Sequence, residues 1–455
     1  MPFATTNPST GQTEKVFPTH TPAEVDALLD RAVAAFSSYK ETSYAERARH
    51  LITAAELLEG EVPDVARILT TEMGKTFAAA KAEVSKCAVA LRWFADNGEA
   101  LLADEEIATS AARSYVHYQP IGAVLAVMPW NFPMWQVIRF AAPALMVGNV
   151  GLLKHASNVP QTALAIEGLF RRAGLPEGVF TNLFVESKDV AELINDPRVA
   201  AVTITGSERA GMSVAEAAGH ALKKSVLELG GSDPFVVLAS ADLERCVRTA
   251  VTARVQNNGQ SCIAAKRFVV VDEVHDEFLD RFTDAMARLV VGDPFDPATD
   301  VGPIVTEAQR DELAGQVEEA VRQGATVHTG AKLPGGGAGW YFAPTVLSGV
   351  TVDMEAAQEE IFGPVAMVIR VPDVDAAVAA ANATTFGLGS SVWSNDEAEV
   401  ARCINGIEAG AVFVNAMVAS TPELPFGGIK RSGYGRELSE LGLKEFTNAK
   451  TVWIA

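Results

Sequence analysis

The sequence shows no excess of positive charge, no opening segment of signal-peptide type and no paired-cysteine motif, and each makes a class of function unexpected. Lys and Arg number 37 against 57 Asp and Glu, a net charge of −20, so the overall field repels phosphate backbones and anionic membrane surfaces. No nucleic-acid partner is expected. The N-terminal MPFATTNPST carries neither a basic segment nor an apolar run of signal-peptide type. The four cysteines, at 87, 246, 262 and 403, form no CxxC pair and no disulfide-framework spacing, which suits a reducing compartment and a cytoplasmic location. The one uncharged run long enough to span a bilayer, residues 118–138, is broken by Pro120, Pro129, Asn131 and Pro133. It reads as a buried strand followed by a loop, so no membrane association is expected. The seven histidines form no HExxH or other ligand cluster, so no metal site is expected. No GxGxxG occurs, and the usual dinucleotide fingerprint cannot support a cofactor assignment.

What is present is enough apolar residue, 48% of 455, to build more than one core. Apolar β-rich runs at 121–128, 200–205, 235–238 and 268–271 alternate with helical periodicity at 160–172 and 243–255. This is an α/β pattern, and continuous apolar strands separated by helices imply mostly parallel sheets covered on both faces. The glycine-rich stretch 334–339 follows no strand and opens no helix, so it reads as a surface turn rather than a phosphate loop.

Cys87, Cys246 and Cys403 sit in apolar stripes of helical spacing, as in Leu243, Cys246, Val247, Ala250 and Val251, the setting of core thiols. Cys262 differs. It follows the small polar run Asn257, Asn258, Gly259, Gln260, Ser261, a loop composition that presents a side chain, and so it is the candidate nucleophile, with an inert thiol the bland alternative. Two carboxylates stand in apolar surroundings: Glu228 before Leu229-Gly230-Gly231, and Glu360 before Ile361-Phe362-Gly363-Pro364. Burial raises a carboxyl's pKa toward the range of a general base, whereas the bland alternative is a buried ion pair.

LELGG around Glu228, NNGQSC ending at Cys262, EEIFGPV around Glu360, MPWNFP around Asn131 and PFGGIKRSGYGRE at 425–437 together resemble the aldehyde dehydrogenase superfamily, in its order and spacing and over almost the whole chain. The resemblance implies an α/β aldehyde dehydrogenase fold: a Rossmann-like cofactor domain from residues 1–102 and 120–230, an α/β catalytic domain from 231–431, and a small β oligomerisation element from 103–119 and 432–455. An apolar final strand would otherwise be an unprotected edge, so a homodimer or a dimer of dimers is expected.

By the same resemblance, the Cys262 thiolate attacks an aldehyde, the Asn131 amide and the Cys262 N–H hold the oxyanion, hydride leaves to the nicotinamide, and Glu228 activates the water that hydrolyses the thioester. The bland reading of Asn131 is an Asx-type turn residue before Pro133. Position 264 is Ala, so a disulfide with a second cysteine two residues on is excluded. The turn carrying Gly206 and Ser207 is implied to receive the pyrophosphate at a helix N-terminus, Glu360 to hold the nicotinamide ribose, and Phe362 and Trp130 to line the channel, both equally suited to core packing. Where NAD-selective relatives often carry glutamate three residues after Lys154, this chain has Ser157, which favours NADP while leaving NAD possible; Ser157 as a mere helix cap is the alternative.

Asn131, Trp135 and Arg139 are spaced by four, approaching one face of a helix that begins near Pro133. Arg139 lies among apolar residues and needs an anion there, either the substrate or an internal carboxylate. The likeness is strongest to bacterial members that oxidise succinate semialdehyde, through residues 128–143, 153–160 and 228–235, and it makes Trp135, Arg139 and Ser420 the expected substrate contacts. Rival readings are another small aldehyde, a cysteine hydrolase, for which Cys262 lacks a histidine partner in the motif-rich segments, and a catalytically silent binding protein.

Overall fold

The computed structural model describes residues 3–332 and 338–455, so most of the 334–339 stretch lies outside the described residues. Two parallel-rich sheets organise the chain. The first has six strands in the spatial order Gly433–Tyr434, Lys224–Glu228, Val199–Thr205, Ala123–Met128, Val150–His155, Phe180–Asn182, all parallel except the first. Its strands are almost wholly buried, as an apolar run must be when helices cover both faces. One covering helix, Trp135–Val147, is buried on every side and ends at Gly148, whose φ of +104° suits only glycine.

The second sheet runs Thr326–Thr329, Thr345–Ser348, Val365–Val371, Arg267–Val271, Pro234–Val237, Ser391–Trp393, Phe413–Val414, with only the outermost strand antiparallel. Alternation sends Val236 and Val269 into the core on one face and Phe235, Val237, Phe268 and Val270 into the core on the other. The α/β reading and the strand placements hold, with boundaries moved by a residue or two. The helix near Pro133 starts at Trp135, so Asn131 precedes it rather than sharing its face.

Residues 432–455 do more than the expected division gives them. Gly433–Tyr434 first completes the edge of the six-stranded sheet against Lys224–Glu228, and Leu438, Leu443 and Phe446 join the core beneath it. Only then does Thr447–Ile454 pair antiparallel with Arg113–Pro120, which also holds the short strand Glu105–Glu106. Apolar side chains at 438, 443 and 446 pull this stretch onto the core of the six-stranded sheet before the chain leaves it. Among the described residues no helix is long and apolar enough to cross a membrane.

Candidate active site

The six-stranded sheet reverses its direction of growth at Ala123–Met128, which pairs with Val150–His155 on one side and Val199–Thr205 on the other. In open α/β sheets the crevice beyond the carboxyl ends of such strands is where ligands bind. Both chains leaving those ends contribute here. Trp130 and Asn131 follow one strand; Gly206 and Ser207 follow the other, and the Ser207 hydroxyl accepts the Ala210 N–H at 3.4 Å to cap the helix Glu208–His220. A cavity of about 280 Å³ opens at this point, and Trp130, Asn131, Gly206, Ser207, Cys262, Glu360 and Phe362 all line it. Trp130 and Phe362 meet edge to face, with centroids 5.7 Å apart. Gln309, Glu312 and Gln316 of the helix Glu307–Arg322 close one wall; sequence reading missed them, although their recurrence at three and four residues was a usable signal.

The cysteine loop is built on backbone geometry. Asn257, Asn258 and Gly259 take φ of +56°, +58° and +75° in succession, a left-handed run that asparagine and glycine tolerate best. A side chain at Gly259 would strike the Gly363 backbone at 2.4 Å. The Asn258 amide nitrogen donates to the carbonyls of Gly74 at 2.9 Å and Pro303 at 3.1 Å, while its oxygen accepts the Gly302 N–H at 2.9 Å. Buried Lys266 donates to the carbonyls of Ser261, Cys262 and Ala264 at 2.9, 2.8 and 3.1 Å. With its carbonyls gathered inward, the loop leaves the Cys262 side chain partly exposed at the cavity, whereas Cys87, Cys246 and Cys403 are buried. Burial pushes the Cys262 thiol up to about 12, with Glu360 adding to the rise and Arg139 and Lys266 opposing it.

Asn131 is clamped from several directions. Its amide donates to the Gln260 carbonyl at 3.1 Å, and its own carbonyl accepts from Lys75 Nζ and the Asn257 amide, each at 2.8 Å. Lys75 is ion-paired with Glu83 in the interior, and Glu83 accepts the N–H groups of Met134 and Trp135 at 2.9 and 3.0 Å. Those donors open the helix Trp135–Val147, which has no side-chain cap of its own. His155 Nε2 lies 2.8 Å from the Pro133 carbonyl, and burial pushes its pKa down to about 4. Lys75, Glu83, His155, Asn257 and Lys266 were not singled out from sequence; they act on backbone atoms, which leave no trace in residue spacing.

The two carboxylates differ. Glu360 accepts the Gly231 N–H at 3.1 Å and faces Lys266 Nζ at 3.6 Å. Glu228, 1% exposed, ends its strand with no hydrogen-bond partner for either oxygen, lies outside the cavity wall and packs against Gly427. Burial holds its pKa well above the usual carboxylate range, the neighbouring Glu437 adds to this, and Arg139 and Arg436 oppose it.

Arg139 has an internal partner: it forms an ion pair with Glu437, the internal-carboxylate alternative, and its guanidinium also donates to Thr205 Oγ1 at 3.3 Å. The chain returns through residues 433–437 and brings that carboxylate against it. Trp135 and Ser420 do meet: Trp135 Nε1 donates to Ser420 Oγ at 3.1 Å. Lys154 is buried at the end of its strand, 3.4 Å from Ser187 Oγ and without an acidic partner among the described residues. Half-buried Ser157 accepts the Ala4 N–H on its carbonyl at 2.9 Å. It is not a helix cap: Val159 holds that position before Pro160–Arg172, with no side-chain capping bond. Lys154 and Ser157 lie outside the cavity wall, on the neighbouring strand end.

A thiol facing a strand-end crevice, with an amide donor fixed beside it and a helix N-terminus across it, suits nucleophilic chemistry by cysteine next to an anionic group. The chain belongs to the aldehyde dehydrogenase family, whose sequence pattern matches residues 1–452. It is 58% identical over its whole length to a protein of Mycobacterium avium (strain 104) named succinate-semialdehyde dehydrogenase [NADP(+)], covering 97% of that protein. Identity is 57% to the similarly named protein 1 of Mycobacterium ulcerans (strain Agy99), over the full length of both. Among solved structures, a succinic semialdehyde dehydrogenase from Streptococcus pyogenes in complex with NADP+ superposes with a TM-score of 0.97 at 37% identity, over 99% of each chain.

Proposed function

We propose that the protein oxidises succinate semialdehyde to succinate with NADP as oxidant. The observation that carries this reading is the full-length 57–58% identity to proteins of that name. The residues fit the cofactor. Lys154, a buried cation with no carboxylate of its own among the described residues, offers a 2′-phosphate its counter-charge beside Ser157. Gly206 and Ser207 at the helix N-terminus suit a pyrophosphate, and Glu360, Trp130 and Phe362 suit the nicotinamide ribose and ring. NADP, when bound, supplies the hydride acceptor.

In the chemistry that this chain supplies, Cys262 Sγ bonds to the aldehyde carbon, and the oxyanion is received by the Asn131 amide and the Cys262 N–H. Loss of hydride converts the thiohemiacetal to a thioester. Glu228 takes a proton from the water that cleaves the thioester, releasing carboxylate and thiol. The raised pKa of Glu228 suits it to accept that proton near neutrality. Arg139 contributes charge from within its pair with Glu437, favouring the thiolate.

The first units of the fold are read as a cofactor domain and a catalytic domain that meet at Cys262. The antiparallel sheet ending at Thr447–Ile454, with Trp453 55% exposed, is read as the edge that pairs with a second copy, giving a homodimer or a dimer of dimers. The location is read as cytoplasmic.

Formation of NADPH and NADH from succinate semialdehyde and from butanal, in wild type and Cys262→Ala, tests the reading. Cys262-dependent NADPH formation favouring the anionic aldehyde is expected; turnover of butanal alone would leave the family and discard the substrate. Ser157→Glu is expected to move the ratio of specificity constants toward NAD by about 10- to 100-fold, since it replaces a donor with a charge that repels the 2′-phosphate. An unchanged ratio would remove Ser157 from the cofactor site.

A further inference from the structure

Lys266 stands immediately before the strand Arg267–Val271 and is fully buried. Its backbone is fixed from both sides: its N–H donates to the Asp233 carbonyl at 3.1 Å, and its carbonyl accepts the Met367 N–H at 3.0 Å. Burying an ammonium is costly unless its protons are used. All three are used here, on the carbonyls of Ser261, Cys262 and Ala264 at 2.9, 2.8 and 3.1 Å, and Glu360 Oε1 faces the ammonium at 3.6 Å as counter-charge. The first two of those carbonyls belong to the peptide groups that flank the Cys262 Cα. A trans peptide carries its C=O and N–H on opposite sides, and no cis bond occurs among the described residues. Drawing the Ser261 carbonyl onto Lys266 therefore turns the Cys262 N–H the other way, where it meets no acceptor among the described residues. Anchoring the Cys262 carbonyl fixes the second peptide plane, and with both planes set the direction of the Cα–Cβ bond is set too.

We propose that Lys266 is a positioning residue for the reaction: gripping both peptide groups of Cys262 from the core side, it aims the thiol and the Cys262 N–H together at the cavity. The inference rests on the proposed function and adds to it a residue that does not line the cavity. Other groups hold the neighbouring carbonyls of the loop. Arg254 holds that of Gly259 at 2.7 Å, and the Asn131 and Asn257 amides hold that of Gln260 at 3.1 and 2.9 Å. Among the described residues Lys266 alone spans both sides of Cys262. Its charge acts in the same sense as its geometry. Burial raises the Cys262 pKa, with Glu360 and Asp233 adding to the rise, and Lys266 opposes it together with Arg139. Burial and Arg254 push the pKa of Lys266 down, while Glu360, Asp233 and Cys262 hold it up.

Two second-order rates, both measured on the full chain at saturating NADP, separate position from charge. Iodoacetamide consumes the thiolate of Cys262, the partly exposed cysteine, and forms no oxyanion. The first turnover of NADPH from succinate semialdehyde, followed by stopped flow, needs the thiolate and the N–H together. Lys266→Met should slow alkylation at a given pH by about 3- to 10-fold, through loss of the charge. It should slow the first turnover by at least about 10-fold more, because the N–H is misdirected. Lys266→Gln, uncharged but still a donor, should alkylate as slowly as the Met variant and recover part of the first turnover. Alkylation should accelerate with rising pH in every case, with both variants displaced to higher pH. Near-ultraviolet circular dichroism reports the fold of each. If Lys266→Met does not fold, Lys266→Gln against wild type carries the same comparison, since an amide has too few N–H groups to hold all three carbonyls. First turnover and alkylation slowed by the same factor would overturn the positioning role, and unchanged rates would overturn the inference whole. A wild type whose first turnover does not exceed that of Cys262→Ala would overturn the proposed function and this inference with it.

Discussion

Glu228 is a buried carboxylate at the end of its strand and Glu360 a half-buried one on the cavity wall with Cys262, yet Glu360 is held and Glu228 is not. Glu360 has a backbone N–H and a lysine to stabilise its charge, whereas both Glu228 oxygens face no donor at all. A carboxylate with fixed partners is suited to holding another molecule in place. One without partners is costly to ionise and gains by sharing a proton with whatever reaches it, which is the requirement for a base. Under the proposed function, the difference would separate binding from chemistry between two residues of the same type.

The sharpest way to break this contrast is Glu228→Gln, which keeps the shape and removes the base. Steady-state turnover should fall by about 10²- to 10⁴-fold, while a burst of about one NADPH per active site survives, because thioester formation precedes the step that is lost. Absence of the burst would place Glu228 before hydride transfer. In wild type, kcat should decline on the acid side at a pH well above the ordinary carboxylate value, as Glu228 takes up its proton, and the Gln variant should lose that limb. Glu360→Gln should act differently: a rise in the KM for NADP of about 10-fold, with no burst, since a charge-assisted hydrogen bond to the cofactor is weakened and hydrolysis is untouched.

The smallest expected effect is thermal. The Glu228 pKa is raised in the folded chain relative to its ordinary value of 4.5, so the folded state binds the proton more tightly than the unfolded one. Its contribution to stability is fullest below the unfolded pKa and declines as pH rises toward the folded value. At pH 8, Glu228→Gln should therefore raise the melting temperature by about 1–3 °C, with less gain in acid; Glu360→Gln should raise it less, because burial raises the Glu360 pKa too but Lys266 and the Gly231 N–H partly offset the rise. Differential scanning calorimetry at two pH values decides between them.

The sequence carried the elements that depend on periodicity and on motif strings. The parallel strands at 121–128 and 268–271 were legible because burial on both faces makes them continuously apolar, and Cys262 was legible from its small polar neighbours. The Arg139–Glu437 pair was not, since its members are 298 positions apart and only the return of the chain along Gly433–Tyr434 brings them together. The braces on Asn131 were hidden because Lys75 and Asn257 hold a backbone carbonyl.

The pairing of Gly433–Tyr434 with the strand that ends in Glu228 has a consequence for biosynthesis. Until the ribosome has released residue 434, the outer edge of the six-stranded sheet has no neighbour, and Glu437 has not arrived to meet Arg139. A nascent chain that already contains Asn131, Glu228 and Cys262 therefore still has an open strand edge, available to chaperones or to another unfinished chain. The last twentieth of the message is what closes that edge.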